Sequence, residues 1–141
     1  MGISLHVTCS AQEADRIYFS LNKKPDNFLK VKELAAAANS LASNNPAEAV
    51  KLAKYIISLS VKLGNAEGLA IGYNELGNAF ERHSVYDSAF KYFFTSNRIF
   101  TEINNPEGRA NTMIDMGNTH EIMVGFIIGN KYGDTCPRNV W

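Results

Sequence analysis

The chain carries no excess charge of either sign. Its 14 basic and 14 acidic side chains cancel, so no net field draws it to nucleic acid or to an anionic lipid surface. It has only two cysteines, Cys9 and Cys136, near opposite ends. Such a pair gives neither a disulfide framework nor metal-ligand spacing. No uncharged apolar run is long enough for a bilayer, which excludes a membrane helix. What is present is ordinary for a folded domain: 45% of the 141 residues are hydrophobic and 20% charged, which argues against disorder throughout. The length allows one domain and leaves no room for a second, regulatory one.

Chemistry is also sparse. His6, His83 and His120 lie far apart, and no cysteine or second histidine shares a helix with His120. A metal site needs three or four convergent ligands. No Ser/His/Asp or Cys/His order stands out, and Gly64-Asn65-Ala66-Glu67-Gly68 follows no strand, so it is punctuation and not a phosphate loop. Neither metal nor cofactor is expected. An enzyme, for instance a helical hydrolase, would require His120, Glu121 and Cys136 to converge; the expectation is that the chain is not one.

The middle of the chain repeats. Residues 65–81 (NAEGLAIGYNELGNAFE) over residues 105–121 (NPEGRANTMIDMGNTHE) share seven identities in 17 positions, where about one is expected from average usage. They are Asn65/Asn105, Glu67/Glu107, Gly68/Gly108, Ala70/Ala110, Gly77/Gly117, Asn78/Asn118 and Glu81/Glu121. Leu76/Met116 and Glu75/Asp115 are conservative. A weaker, alanine-rich copy precedes them at the same offset of 40, through Ala49/Ala89, Lys51/Lys91 and Asn65/Asn105. That is what an end repeat packed on one side looks like.

Each period reads as two helices. Leu69, Tyr73, Leu76, Ala79 and Phe80 share one helical face; Ala89, Tyr92, Phe93, Ser96, Ile99, Phe100 and Ile103 share another. The aromatics follow helical spacing and read as core, not as a base-stacking platform. Gly64-Asn65 and Asn104-Asn105 mark helix ends, and Pro46 and Pro106 sit where a helix begins. Neither helix can bury its stripe alone, so the copies must stack. Gly77 and Gly117 each cost a helix interior about 1 kcal/mol. Their recurrence points to packing: a missing side chain at Gly77, facing Ala89, lets the two helices of a hairpin approach.

These residues resemble a tetratricopeptide repeat of the 40-residue kind with a Leu-Gly-Asn signature. The resemblance covers residues 30–125 and is most specific in 66–105, through Leu76-Gly77-Asn78, Phe80, Tyr86-Asp87-Ser88-Ala89 and Phe93. In 106–125 only the first helix matches, through Met116-Gly117-Asn118. The resemblance implies an all-α, antiparallel helix-hairpin α-solenoid of about two and a half repeats (26–65, 66–105 and an incomplete 106–125), with packing positions at Leu76, Gly77, Phe80, Ala89, Phe93, Met116 and Gly117. It implies a groove that binds a peptide or helix of a protein partner without chemistry of its own, lined by Asn74, Asn78, Ile114 and Asn118, with Glu81 and Glu121 near the same surface. An asparagine amide offers both donor and acceptor, so a ladder of them can pair with an extended backbone whatever its sequence; Asn78 and Asn118 could equally tie neighbouring helices together. Arrays resembling this one often form the sensor input of bacterial signalling proteins. The alternative is a structural array that self-associates through its last repeat.

The ends depart from the pattern. Residues 1–12 read either as the remnant of a secretory leader, with Ile3, Leu5 and Val7 before Cys9-Ser10-Ala11, or as a disordered arm. The compartment, cytoplasmic or exported, stays open between them. Residues 13–23 read as a short lead-in helix with Ile17, Tyr18 and Leu21 on one side. Gly125, Gly129, Gly133 and Pro137 predict an irregular tail over 126–141, and the whole is expected to be a fragment of a longer array.

Overall fold

The computed structural model describes the backbone of residues 2–132 and the side chains of residues 12–124. The described chain is all-helical: α1 (Gly2–Asn22), α2 (Phe28–Asn44), α3 (Pro46–Leu63), α4 (Ala66–Arg82), α5 (Tyr86–Glu102) and α6 (Pro106–Tyr132). None of these is long and apolar enough to cross a membrane.

The helices start and stop for local reasons. The side chains of Asn27, Asn45, Asn65 and Asn105 each accept the backbone N–H three residues on, at 2.9, 3.3, 2.7 and 2.9 Å. Each satisfies one of the four N–H groups that a helix start leaves unpaired. Pro46 and Pro106 open their helices, where no donor is needed. Three helix ends share one lock. Gly64, Ser84 and Asn104 have φ of +61°, +62° and +54°. Their N–H groups reach back three residues, to the carbonyls of Val61, Glu81 and Thr101. The next N–H in each case reaches back five, to Ser60, Phe80 and Phe100. This is the left-handed Schellman closure. Because it recurs at 64, 84 and 104, the 40-residue period consists of two helix-plus-turn units of 20.

The first hairpin breaks that rule. Asn45 alone both ends α2 and caps α3, whereas residues 83–85 separate α4 from α5. The two missing residues bring the caps Asn27 and Asn65 to a spacing of 38, which is why α2 reads poorly against the 40-residue period.

Successive helices from α2 onward pack on one another, and α2 also reaches α4. Between α4 and α5 the contacts run in opposite order along the two helices. Gly77 lies against the Phe93 ring, Tyr92 stacks on Tyr73 and Phe80 at 6.3 and 5.3 Å between centroids, and Ser96 Oγ donates to the Ala70 carbonyl at 2.7 Å. Phe93 is completely buried, which contributes about 1.5–3 kcal/mol of transfer free energy. Gly72 lies against Ile57 of α3. Gly68 sits on Ser60 as Gly108 sits on Phe100; both members of the pair have moved by 40, so contacts repeat along with residue types. At the other end Ala14 and Leu21 of α1, with Ile17 and Tyr18 beside them, join the core of α2 and α3.

Several sequence expectations need correction. The nearest atoms that a side chain at Gly77 would meet belong to the ring of Phe93, one turn beyond the expected Ala89. Gly117 has no packing neighbour among the described residues: none of them lies within 4 Å of where its Cβ would be, because no described helix covers that face of α6. The first helix starts at Gly2, not at residue 13, so the segment read as a leader remnant or a disordered arm supplies its opening turns over residues 2–12. Likewise α6 runs through Gly125 and Gly129 to Tyr132; two glycines each costing about 1 kcal/mol do not outweigh continuation of a helix already nucleated. The proposed tail beyond residue 132, with Cys136 and Pro137, lies outside the described residues.

Candidate functional site

Helix α4 is flanked by α2 on one side and α6 on the other, and a groove runs along it. Its main hollow, about 470 Å³, is lined almost entirely by polar side chains. From α4 come Asn74, Glu75, Asn78, Glu81 and Arg82; from α6, Asn111, Asp115 and Asn118; from α2, Asn39 and Ala42. The i, i+3/i+4 spacing of 71, 74/75, 78 and 81/82 places these α4 side chains on one stripe. Two smaller hollows continue it. One of about 180 Å³ shares Asn74, Glu75 and Asn111 and adds Ile71, Phe100 and Gly108; the next, about 230 Å³, ends at Lys32, Glu67 and Glu107.

A roomier hollow of about 550 Å³ lies between the α3–α4 and α5–α6 turns, where Gly64, Asn65, Asn104 and Asn105 line it. It opens broadly to solvent, and its asparagines Asn65 and Asn105 already cap helices. The α4 groove is therefore the stronger candidate despite its smaller volume.

Its electrostatics are unusual. Glu75 is only 9% exposed, and its one hydrogen bond is a long one of 3.4 Å, donated by Asn78 Nδ2 to Oε2. Burial pushes its carboxyl up to about 7, with the Asn78 bond opposing and the neighbouring Asp115 charge adding to the shift. Burial also raises Asp115, against a hydrogen bond from Asn74. Glu81 is raised by burial and then by Asp115, with Arg82 opposing. Buried carboxylates without a cation strongly favour the protonated form. Asn74 Oδ1 is buried with no donor.

Of the six residues expected in the groove, Asn74, Asn78, Glu81 and Asn118 line it; Ile114 and Glu121 do not. Ile114 is 62% exposed and Glu121 is exposed. The reason is asymmetry between floor and wall. Helix α4 has a neighbour on both sides, whereas α6 is the last described helix: it buries Thr112 and Thr119 and brings only its adjoining 111–115–118 edge to the groove. Sequence reasoning passed over Asn39, Glu75, Arg82, Asn111 and Asp115. The recurrence of an acid at 75 and 115 was a usable signal. Asn39 had none, because α2 is two residues out of register.

His83 closes the C-terminus of α4 and His120 is exposed on α6. Among the described residues no three His, Cys, Asp or Glu side chains gather as a metal site. No family model, curated protein or solved structure gives a significant match to this chain.

Proposed function

We propose that this chain is a recognition module that holds an extended segment of a partner protein along α4, with no chemistry of its own. The observation that carries this reading is the row of side-chain amides, Asn74, Asn78, Asn111 and Asn118, lining one groove from two helices. Each amide can both donate to and accept from a peptide backbone. From Glu67 to Arg82 the groove follows α4 for about 22 Å, at 1.5 Å per residue. An extended segment of roughly six or seven residues fits that length at about 3.3 Å each. The resemblance to tetratricopeptide repeats supports the same reading, and with it a role as the input part of a larger signalling protein.

The test is an Asn78→Ala/Asn118→Ala double variant, compared with the parent on a peptide array and by titration of the best binders. Binding is expected to weaken by at least tenfold while the helical circular dichroism stays unchanged. Equal binding by both proteins removes the asparagines from the site.

A second reading is self-association through the outer face of α6. The exposure of Met113, Ile114, Ile122 and Val124 along α6 favours it, since exposed apolar side chains on a terminal described helix invite a partner surface. Light scattering across a hundredfold concentration range separates the two: a monomer throughout rules this one out.

A further inference from the structure

The groove is rich in carboxylates and poor in cations. Its three hollows together present five carboxylates, Glu67, Glu75, Glu81, Glu107 and Asp115, against two basic side chains, Lys32 and Arg82. This is a local acidic excess in a chain whose overall charge is zero. The two bases stand at opposite ends: Lys32 lines only the far hollow and Arg82 only the main one. At the centre, among the described residues, no cation pairs with Glu75, although it is nine-tenths buried and lines both the main hollow and its neighbour. Asn74 Oδ1, beside it, is buried with no donor. Unfilled buried acceptors are costly unless something donates to them. The middle of the groove therefore lacks positive charge, and Asn74 Oδ1 and Glu75 stand ready to accept from a charged donor.

Next to this centre the lining changes character. Ile71 and Phe100 form an apolar shelf in the adjoining hollow, which Glu75 and Asn74 share. Apolar shelf and buried carboxylate side by side match one kind of side chain, a long aliphatic stem ending in a cation.

We propose that the segment held in the groove carries a basic side chain, arginine by preference, with its stem over Ile71 and Phe100 and its cation between Glu75 and Asp115. This rests on the groove reading above and names the chemistry of its ligand. Arginine is preferred to lysine because its planar fork of five N–H donors can reach acceptors on two helices at once: Glu75 and Asn74 on α4, Asp115 on α6. The same lining disfavours a peptide's terminal carboxylate or a phosphate at this point, because either would face carboxylates with no central cation.

The experiment uses the full chain and three pools of capped, fluorescent heptapeptides with randomised flanks and a fixed central residue: arginine, citrulline or glutamate. Citrulline keeps the shape of arginine and removes the charge. By anisotropy the arginine pool is expected to bind at least tenfold tighter than the citrulline pool, and the glutamate pool weakest. Glu75→Gln, and separately Asp115→Asn, should shrink the arginine–citrulline gap to within about twofold, while Asn78→Ala/Asn118→Ala weakens all pools alike. Equal binding of arginine and citrulline pools, both weakened by the double asparagine variant, overturns the basic-side-chain inference and leaves the groove standing. An unbroken arginine preference in both carboxylate variants also overturns it, since the cation is then read elsewhere. Absence of binding by every pool, or binding indifferent to the asparagine variant, overturns the groove reading and this inference with it.

Discussion

Gly77 and the ring of Phe93 are in direct apposition: a Cβ on Gly77 would stand 2.6 Å from the ring's Cδ1 and Cε1. Phe93 is fully buried and cannot swing aside without opening the α4–α5 interface. Gly77→Ala therefore overpacks, at a cost of about 1–3 kcal/mol, which outweighs the roughly 1 kcal/mol gained in helix propensity. Gly117, its counterpart 40 residues on, faces open space. Gly117→Ala should stabilise by up to about 1 kcal/mol. Urea titrations of the pair check both signs; a loss at both positions would mean that α6 is covered by something beyond the described helices.

Ser84 occupies the same left-handed closure as Gly64, with φ of +62°. A side chain there costs about 1–2 kcal/mol through contact of its Cβ with the following carbonyl. Ser84→Gly should raise stability by about 0.5–1 kcal/mol after the added freedom of the unfolded chain is subtracted. Gly64→Ala should lower it by about 1 kcal/mol from backbone strain alone, because no atom lies within 4 Å of the new methyl group. Thermal melts of the two variants test the claim that the 64, 84 and 104 closures are equivalent.

Asn65 and Asn105 cap α4 and α6 through bonds of 2.7 and 2.9 Å to the N–H of Gly68 and Gly108. Replacing either by alanine should cost about 1 kcal/mol. Aspartate at the same positions should retain most of that stability, since it keeps the acceptor. Denaturation midpoints of the alanine and aspartate variants give the comparison.

Stability should also depend on pH through Glu75. Its carboxyl is raised from 4.5 to about 7 in the folded chain, so the folded state holds that proton more tightly than the unfolded one. The contribution is most favourable below about pH 4.5 and is lost as pH rises towards 7. By linkage the full change is on the order of 3 kcal/mol. Glu81 and Asp115 are raised as well and act in the same sense. Asp26 opposes them at the acid end. Hydrogen bonds from Lys30 and Lys62 hold it at about 2, so its stabilisation is present above its ordinary 3.8 and fades as pH falls below that. Melting temperatures should therefore be higher near pH 5 than at pH 8, and Glu75→Gln should flatten most of the difference. A flat profile for the parent would mean that water reaches Glu75.

What could be read in the residues alone was what local backbone chemistry decides. Asn65, Pro106 and the Gly64 turn announce helix boundaries, because a helix end must satisfy its own unpaired N–H and C=O groups within a few residues. The period showed itself wherever both copies keep the same links, and it blurred at α2, where Asn45 does the work of three residues. The glycines at Gly125 and Gly129 misled, since propensity is a weak signal inside a continuing helix.

Position along the chain was therefore enough to mark the helix boundaries at Pro46, at Gly64-Asn65 and at Asn104-Asn105-Pro106, and to single out the asparagines at 74, 78 and 118. Which side chains meet was decided only by tertiary placement. The Phe93 ring fills the notch at Gly77, Asn39 arrives from α2, and Ile114 turns outward while Asn74 turns in. Glu75 becomes a buried, unpaired carboxylate only when α2 and α6 close over it. Burial and dielectric are properties of the space between helices, and no stretch of sequence carries them by itself.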